Sequence, residues 1–313
     1  MSKILITGGA GFIGSHIAEF LLKNESNFIR IVDNLSTGKM ENIQFLLNEY
    51  KNLEFMYGDL TDLDFCKKAV IGIDIICHQA ALGSVPRSLI EPLNSHNSNV
   101  NGHLNVLLAA REAGIKRVVY ASSSSVYGDN PELPKKEENT GNVLSPYACT
   151  KAINEIYGMI FTKCYDMECI GLRYFNIFGP RQDPNGAYAA VIPKFINLMK
   201  QNKRPIINGD GSYSRDFTYI DNAVQANVLA MLSDNKDAYG EVFNIGISGQ
   251  VTILDLFNII KKKLKIEMEP IFSKKRPGDV PHSNASIDKA QKILGYNSIV
   301  SFEEGIIKTI NSM

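Results

Sequence analysis

Three glycines at positions 8, 11 and 14 follow directly on the apolar run Ile4-Leu5-Ile6. They precede a stretch with helical spacing at Ile17, Ala18, Leu21 and Leu22. Strand, glycine turn and helix in that order confine a chain to a small set of α/β folds. Glycines permit the tight turn and let the backbone approach a pyrophosphate, which then rests on the amides of the helix N-terminus. A second apolar run, Ile29-Arg30-Ile31-Val32, ends in Asp33, 19 residues beyond Gly14. A carboxylate near this spacing suits a ribose 2′-hydroxyl and would repel a 2′-phosphate, so NAD is expected in preference to NADP. The competing reading of Asp33 is a turn or helix cap.

The alternation continues. Residues 53–60 predict a third strand ending in Gly58-Asp59, where Asp59 either accepts a hydrogen bond from an adenine amino group or caps the next helix. Residues 73–81 predict a fourth, running into Ala80-Ala81, small enough for a cofactor to pass close to the backbone; His78 reads as a packed strand-end histidine. A long helix is expected over 94–113, with Val100, Leu104, Leu107 and Leu108 recurring on one side, and a fifth strand over 117–121. That strand opens into Ser122-Ser123-Ser124-Ser125-Val126-Tyr127-Gly128, hydroxyls at the sheet edge where open α/β folds bind ligands. With a sixth strand over 168–176, the pattern predicts a doubly wound parallel (Rossmann) α/β sheet. The Gly/Pro/Asn cluster over 179–186 breaks the alternation. An NAD-binding domain over 1–178 and a smaller, mainly substrate-binding α/β domain over 179–313 follow. Residues 240–246 read as a strand returning to the main sheet, which would interleave the two.

A helix over 145–165 begins Ser145-Pro146-Tyr147-Ala148-Cys149-Thr150-Lys151. Tyr147 and Lys151, at i and i+4, share one helix face. An ammonium beside a phenol lowers its pKa from about 10 and makes it a usable acid/base near neutral pH. With 33 basic and 33 acidic residues the chain is neutral overall, which argues against a general polyanion binder; an anionic ligand must be met by local groups. Five cysteines (Cys66, Cys77, Cys149, Cys164, Cys169) show neither a Cys-x-x-Cys pair nor zinc spacing, so no metal is expected and they read as buried or incidental thiols. The N-terminus runs straight into a strand and no apolar run reaches about 18 residues, so a cytoplasmic protein is expected.

Thr7-Gly8-Gly9-Ala10-Gly11-Phe12-Ile13-Gly14, the 122–128 serine segment and Tyr147-x-x-x-Lys151 together resemble the extended short-chain dehydrogenase/reductase family. The chain looks most like the nucleotide-sugar 4-epimerases within it. The likeness runs on through Arg173-Tyr174-Phe175-Asn176-Ile177-Phe178-Gly179-Pro180, Ser214-Arg215-Asp216-Phe217 and Arg276-Pro277-Gly278-Asp279. It implies that Tyr147 takes the proton of the sugar 4-hydroxyl, that Lys151 holds the nicotinamide ribose and keeps Tyr147 acidic, and that Ser123 bonds the same oxygen. Ser122 and Ser124 remain alternatives on either side of Ser123. The resemblance implies a cofactor site of Gly8, Gly11, Phe12, Ile13 and Gly14, with Asp33, Asn34 and Gly38. It adds Asp59, Leu60, Ala80, Ala81, Asn99 and Ser122 further along. On the substrate side it implies Gly83, Ser84, Ser124, Asn176, Ala190, Val191 and Asn208. Arg215 and Arg276 would grip the diphosphate, with Asp279 nearby; the alternative for these arginines is pairing with Asp216 and Asp279.

The implied activity is C4 epimerisation of a UDP-sugar through a 4-keto intermediate, with resident NAD. Family members with a bulky aromatic at the position matching Ser283 act on plain hexoses, and those with a small residue act on N-acetylated ones. Ser283 therefore points to UDP-N-acetylglucosamine and UDP-N-acetylgalactosamine, alongside UDP-glucose and UDP-galactose. Gly83 departs from the lysine of the glucose-type enzymes. Ser124-Ser125 stands where 4,6-dehydratases need an acid pair, which argues against dehydration. A UDP-glucuronate 4-epimerase or decarboxylase, or a non-catalytic NAD-binding regulator, is the rival reading. The family's homodimer would use the helices expected over 94–113 and 145–165.

Overall fold

The computed structural model describes residues 2–185, 189–274 and 280–313. Strand β1 (Lys3–Thr7) passes through the glycine turn into α1 (Phe12–Leu22). Then come β2 (Phe28–Asp33), α2 (Gln44–Glu49), β3 (Leu53–Tyr57), α3 (Leu63–Ala69) and β4 (Ile75–His78). Helices α4 (Val85–Ile90), α5 (Pro92–His96) and α6 (Gly102–Glu112) precede β5 (Arg117–Ser123), and α7 (Pro146–Tyr165) precedes β6 (Glu168–Tyr174). Beyond these the elements shorten: β7 (Ile177–Phe178), α8 (Val191–Lys200), β8 (Ile206–Asn208), β9 (Ser214–Arg215) and β10 (Thr218–Tyr219). The chain continues through α9 (Ile220–Leu232), β11 (Val242–Ile245), β12 (Val251–Thr252), α10 (Ile253–Leu264) and β13 (Ile271–Ser273). It closes with β14 (His282–Ser283), α11 (Asp288–Leu294) and α12 (Phe302–Ser312).

Seven strands form one parallel sheet in the order β11-β6-β5-β4-β1-β2-β3. This is the Rossmann arrangement expected, and the strand at 242–245 does return to the main sheet beside β6. Strand order reverses at β1, which opens a crevice at the carboxyl edge between β1 and β4. Both faces are covered. Ile4 and Ile6 pack with Ala18, Leu22 and Ala226 of α1 and α9, while Leu5 packs with Cys66, Val106 and Leu107 of α3 and α6. Successive strand residues point to opposite faces, so a strand buried on both sides is apolar throughout.

Two expectations need correction. The segment over 94–113 is not one regular helix: a π-helical turn, Asn97–Asn101, joins α5 to α6. Within it lies Asn99, whose Oδ1 accepts from the Leu82 amide at 2.7 Å and whose Nδ2 donates to Thr150 Oγ1 at 3.1 Å. The side chain ties two neighbouring segments together from a wider turn of a kind common at functional sites. Strand β5 also runs two residues further than the apolar run, because Ser122 and Ser123 stay paired with Arg173 and Tyr174 of β6. Of the cysteines, Cys149 and Cys164 are exposed and the other three are buried. No helix among the described residues is long and apolar enough to cross a membrane.

Helix α7 lies close against β5 because the buried Tyr120 ring slots between two glycines. A Cβ on Gly158 would stand 2.5 Å from the Tyr120 hydroxyl, and one on Gly171 would stand 2.7 Å from it. Alanine in an exposed helix gains about 1 kcal/mol over glycine, but overpacking a rigid core costs about 1–3 kcal/mol. Gly158→Ala is therefore expected to lower the thermal midpoint; an unchanged or raised midpoint would show that the ring does not set this spacing.

Candidate active site

The glycine turn forms the floor of a cleft at the carboxyl edge of the sheet. Gly8 adopts φ +66°, and a Cβ there would lie 2.7 Å from the Ala80 backbone; one on Gly14 would lie 2.4 Å from the Gly8 carbonyl oxygen. Only glycine fits either place. The α1 N-terminus has no side-chain cap and no acid in its first turn, which leaves its positive end for an anion. Gly8, Gly11, Phe12, Ile13, Gly14, Asp33, Asn34, Asp59, Leu60, Ala80, Ala81 and Gly83 all line this one cleft. A bare backbone floor and an uncapped helix end fit the diphosphate of NAD.

Asp33 lines the cleft and is also a turn anchor. One carboxylate oxygen accepts from the Ala10 amide at 3.0 Å and the other from Leu35 at 2.8 Å. Burial raises its pKa, against these two hydrogen bonds. Gly38 contributes by its lack of a side chain, since a Cβ would sit 2.7 Å from the Asp33 carboxylate. Asp59 does not cap the following helix; Asp62 does, accepting from Asp64 and Phe65. Burial opposes the charge of Asp59, but hydrogen bonds from Thr61 and Asn34 outweigh it and hold the pKa below the ordinary value. Sequence reasoning passed over Ser36, Thr37 and Ser98, which line the same cleft. Two hydroxyls directly after an acidic strand end were the available signal for the first two.

Ser123, Tyr147 and Lys151 stand on β5 and α7, outside the lining of this cleft; α7 is linked to it where Asn99 bonds both Thr150 and the cleft residue Leu82. Ser145 caps α7 by accepting from the Ala148 amide at 3.1 Å, and Pro146 suits its first turn. This capping places Tyr147 at the open end of the helix. Burial raises the phenol pKa, and among the described residues the opposing influence is a hydrogen bond with Ser123. The expectation that Lys151 acidifies Tyr147 is thus not met by these two residues alone. The Lys151 ammonium donates instead to the Ala121 carbonyl at 2.8 Å, and burial lowers its pKa to about 8. Ser122 does not present its hydroxyl to the site: it donates to Glu155 Oε1 at 2.5 Å. Ser124 opens a 3-10 turn, Ser124–Tyr127. Asn99 works through Leu82 and Thr150, as described above, and not at the cleft surface. His78 is a packed residue hydrogen-bonded to Thr7 Oγ1 at 2.7 Å; burial lowers its pKa to about 3.

On the other side, Ser283 of β14 stands in register with Arg215 of β9. Arg215 donates to the carbonyls of Ser214 and Pro281 at 2.8 and 3.1 Å. Asp216 uses its carboxylate on the amides of Ile247 and Ala285, at 3.0 and 3.2 Å, and is fully buried. A surface pair between Arg215 and Asp216 is therefore not what the structure forms. Asn176, at φ +38°, donates to the Asp216 carbonyl at 3.0 Å. Ser84, at φ +114°, caps α4. Asn208 accepts from Ser273 at 2.8 Å, and Ala190 and Val191 open α8. Arg276 and Asp279 lie outside the described residues. Among the described residues no group of His, Cys, Asp and Glu is arranged to hold a metal ion.

A family model described as the NAD dependent epimerase/dehydratase family matches residues 4–246. Over 312 residues the chain is 38% identical to a putative UDP-glucose 4-epimerase of Methanocaldococcus jannaschii, covering 99% of this chain and 98% of that one. Among solved structures, it matches the UDP-N-acetylglucosamine 4-epimerase from Methanobrevibacter ruminantium M1 in complex with UDP-N-acetylmuramic acid. The TM-score is 0.93 at 40% identity, over 99% of this chain and 97% of that one. The UDP-glucuronic acid 4-epimerase from Bacillus cereus, in complex with UDP-glucuronic acid and NAD, matches at a TM-score of 0.92 and 32% identity, over 99% and 98%.

Gly14→Ala is expected to force the turn open and to strip the purified protein of its dinucleotide. Acid-released NAD per chain is the measurement, and full retention would contradict the role given to the turn.

Proposed function

Since the chain belongs to the NAD-dependent epimerase/dehydratase family, we propose that it interconverts the C4 epimers of a UDP-sugar through a 4-keto intermediate, with UDP-N-acetylglucosamine and UDP-N-acetylgalactosamine as the preferred pair. The observation that supports the reaction is that β5 and α7 bring Ser123 to Tyr147 and the Ala121 carbonyl to Lys151, while Asn99 links α7 to Leu82 of the cleft built on the glycine turn. NAD, when bound, would supply a hydride acceptor that can also return the hydride to sugar C4. Tyr147 takes the proton from the 4-hydroxyl and gives it back, and Ser123 shares it. Lys151 holds the nicotinamide ribose and balances the developing charge on the phenol. The glycine turn with Asp33, Asn34 and Asp59 holds the rest of the dinucleotide. On this reading residues 1–178, with β11, form the cofactor-binding part, and the segment from 179 onward forms most of the substrate-binding part.

Arg215 and Asn176, with Arg276 beyond the described residues, are assigned to the UDP diphosphate, for which a guanidinium fork is suited. Asn208, Ala190, Val191, Ser84, Gly83 and Ser124 are assigned to the remainder of the sugar nucleotide. The N-acetyl preference rests on Ser283: a small side chain beside Arg215 leaves room for an acetamido group. A likeness to a UDP-glucuronic acid 4-epimerase keeps that sugar as the rival substrate.

A second copy of the chain is assigned to the outer faces of α4, α5 and α7. Leu89, Ile90 and Leu93 are each more than 60% exposed, and Ile156 and Ile160 lie one turn apart on α7, also exposed. Such a cluster of apolar side chains on adjoining helices suits a homodimer.

Incubation with each UDP-sugar pair and no added cofactor, followed by product separation, tests the reaction. The N-acetylated pair should turn over fastest, and Tyr147→Phe should cost at least about a hundredfold while leaving bound NAD in place. Ser283→Tyr should shift preference toward UDP-glucose and UDP-galactose. Undiminished turnover by Tyr147→Phe would refute the assignment, and turnover of UDP-glucuronate alone would replace the substrate. Sedimentation should give a dimer for the native chain and a monomer for Ile156→Glu; a native monomer would remove the interface.

A further inference from the structure

Helix α7 carries a third polar residue at the spacing of Tyr147 and Lys151. Glu155 completes an i, i+4, i+8 stripe along one face. Its Oε1 accepts from Ser122 Oγ at 2.5 Å and from Arg173 Nε at 2.8 Å, and its Oε2 accepts from Arg173 Nη2 at 2.8 Å. The Arg173 side chain is only 4% exposed. Its Nη1 donates onward to the Tyr127 hydroxyl at 3.0 Å and to the Glu137 carbonyl at 2.9 Å. Tyr127 in turn donates to Asn244 Oδ1 at 2.7 Å. One carboxylate thus ties α7 to β5 and β6 and, through Arg173 and Tyr127, to β11.

Three successive residues of β5 meet this helix face. The Ala121 carbonyl accepts from Lys151, the Ser122 hydroxyl donates to Glu155, and the Ser123 hydroxyl meets Tyr147. A buried ion pair is a costly way to gain stability, since well-packed apolar residues of similar size often do as well. What hydrogen bonds add is a fixed register. We propose that Glu155 is a positioning residue for the epimerisation: acting through Ser122, it locks the end of β5 against α7 so that Ser123 and Lys151 stand in register with Tyr147. This rests on the 4-epimerase reading given above.

Glu155 also bears on the Lys151 charge. Burial lowers the ammonium's pKa to about 8, and the Glu155 carboxylate is the group that opposes this. Besides Tyr147 on the same helix, the other titratable groups near Lys151 are His78 at the end of β4 and His103 on α6. Burial depresses both, His78 to about 3, so neither is charged near neutral pH. Arg173 of β6 is charged, and Glu155 compensates it. Losing the carboxylate leaves Lys151 without its nearby anion and Arg173 without its partner, and both changes favour the neutral amine. Lys151 then loses its proton at lower pH.

The test uses the full chain with its bound NAD and two variants, Ser122→Ala and Glu155→Gln. Ser122→Ala removes one hydrogen bond and keeps the ion pair. It is expected to lower kcat by about tenfold with the KM for the UDP-sugar and the NAD content unchanged, because the loss is one of alignment. Glu155→Gln is expected to move the alkaline limb of kcat down by about one pH unit. NAD retained after dialysis across the same pH range should shift in the same direction, and that measurement does not depend on turnover. The proposal is overturned by a folded Ser122→Ala with kcat within twofold of the native chain. It is overturned equally by a folded Glu155→Gln whose kcat and NAD-retention profiles both stay in place. If Glu155→Gln does not fold, Ser122→Ala decides alone. If the native chain epimerises no UDP-sugar, the reaction assignment fails, and the NAD-retention profile of Glu155→Gln still decides the role of Glu155.

Discussion

The site depends on how α7 docks against β5. At the far end the spacing is steric: the Tyr120 ring fills a slot that Gly158 and Gly171 leave open on the helix and on β6. At the near end the contacts are polar, through Lys151, Glu155 and Tyr147. Apolar packing fixes distance but tolerates sliding, whereas hydrogen bonds fail when a helix slips by a fraction of a turn. The first sets how close the two elements come, and the second sets which atoms face each other. The proton transfer assigned to Tyr147 draws on both.

Charge is handled locally in a chain that is neutral overall. A UDP-sugar and NAD both carry diphosphates, yet no broad basic surface is needed when each meets a dedicated group. The α1 N-terminus offers uncapped amides to one, and Arg215 is assigned to the other. Between them Lys151 is buried, with its ammonium held on a backbone carbonyl. The imidazoles of His78 and His103 approach each other at 5.2 Å, and burial keeps both neutral. That leaves the ammonium's charge uncontested by the two rings. The phenol is less acidic in this protein than a simple tyrosine-lysine argument predicts, since burial works against ionisation and Lys151 is engaged elsewhere.

Much of this was legible in the sequence because it rests on short-range geometry. A strand, three glycines at fixed spacing and a helix define the turn, and an acid at the next strand end follows from the same unit. Tyr147 and Lys151 are adjacent by helical spacing alone. What could not be read is whatever long-range packing decides. Four consecutive serines carry no internal mark of which hydroxyl faces the cleft, and only the position of Glu155, 33 residues away from Ser122, turns that one aside. The π turn at 97–101 was not legible either: Asn99 within it bonds Leu82 and Thr150, partners 17 and 51 residues distant. Asp62, not Asp59, caps α3, a difference of one turn that strand-end spacing does not resolve.

The substrate side shows why specificity is harder to read than chemistry. Ser214 and Arg215 form a two-residue strand held between β12 and β14, and such a short ladder has little stability of its own. Its position is set by Asp216, whose buried carboxylate gathers the amides of Ile247 and Ala285 and whose carbonyl receives Asn176. Among the described residues no cation is among the influences on this carboxylate, and burial raises its pKa to about 6. Holding it there costs free energy that the amide bonds must offset. What results is a rigid hub joining three loops, from which Arg215 and, across the ladder, Ser283 are presented side by side. In that arrangement the side chain on β14 assigned to the sugar can change without moving the group assigned to the diphosphate.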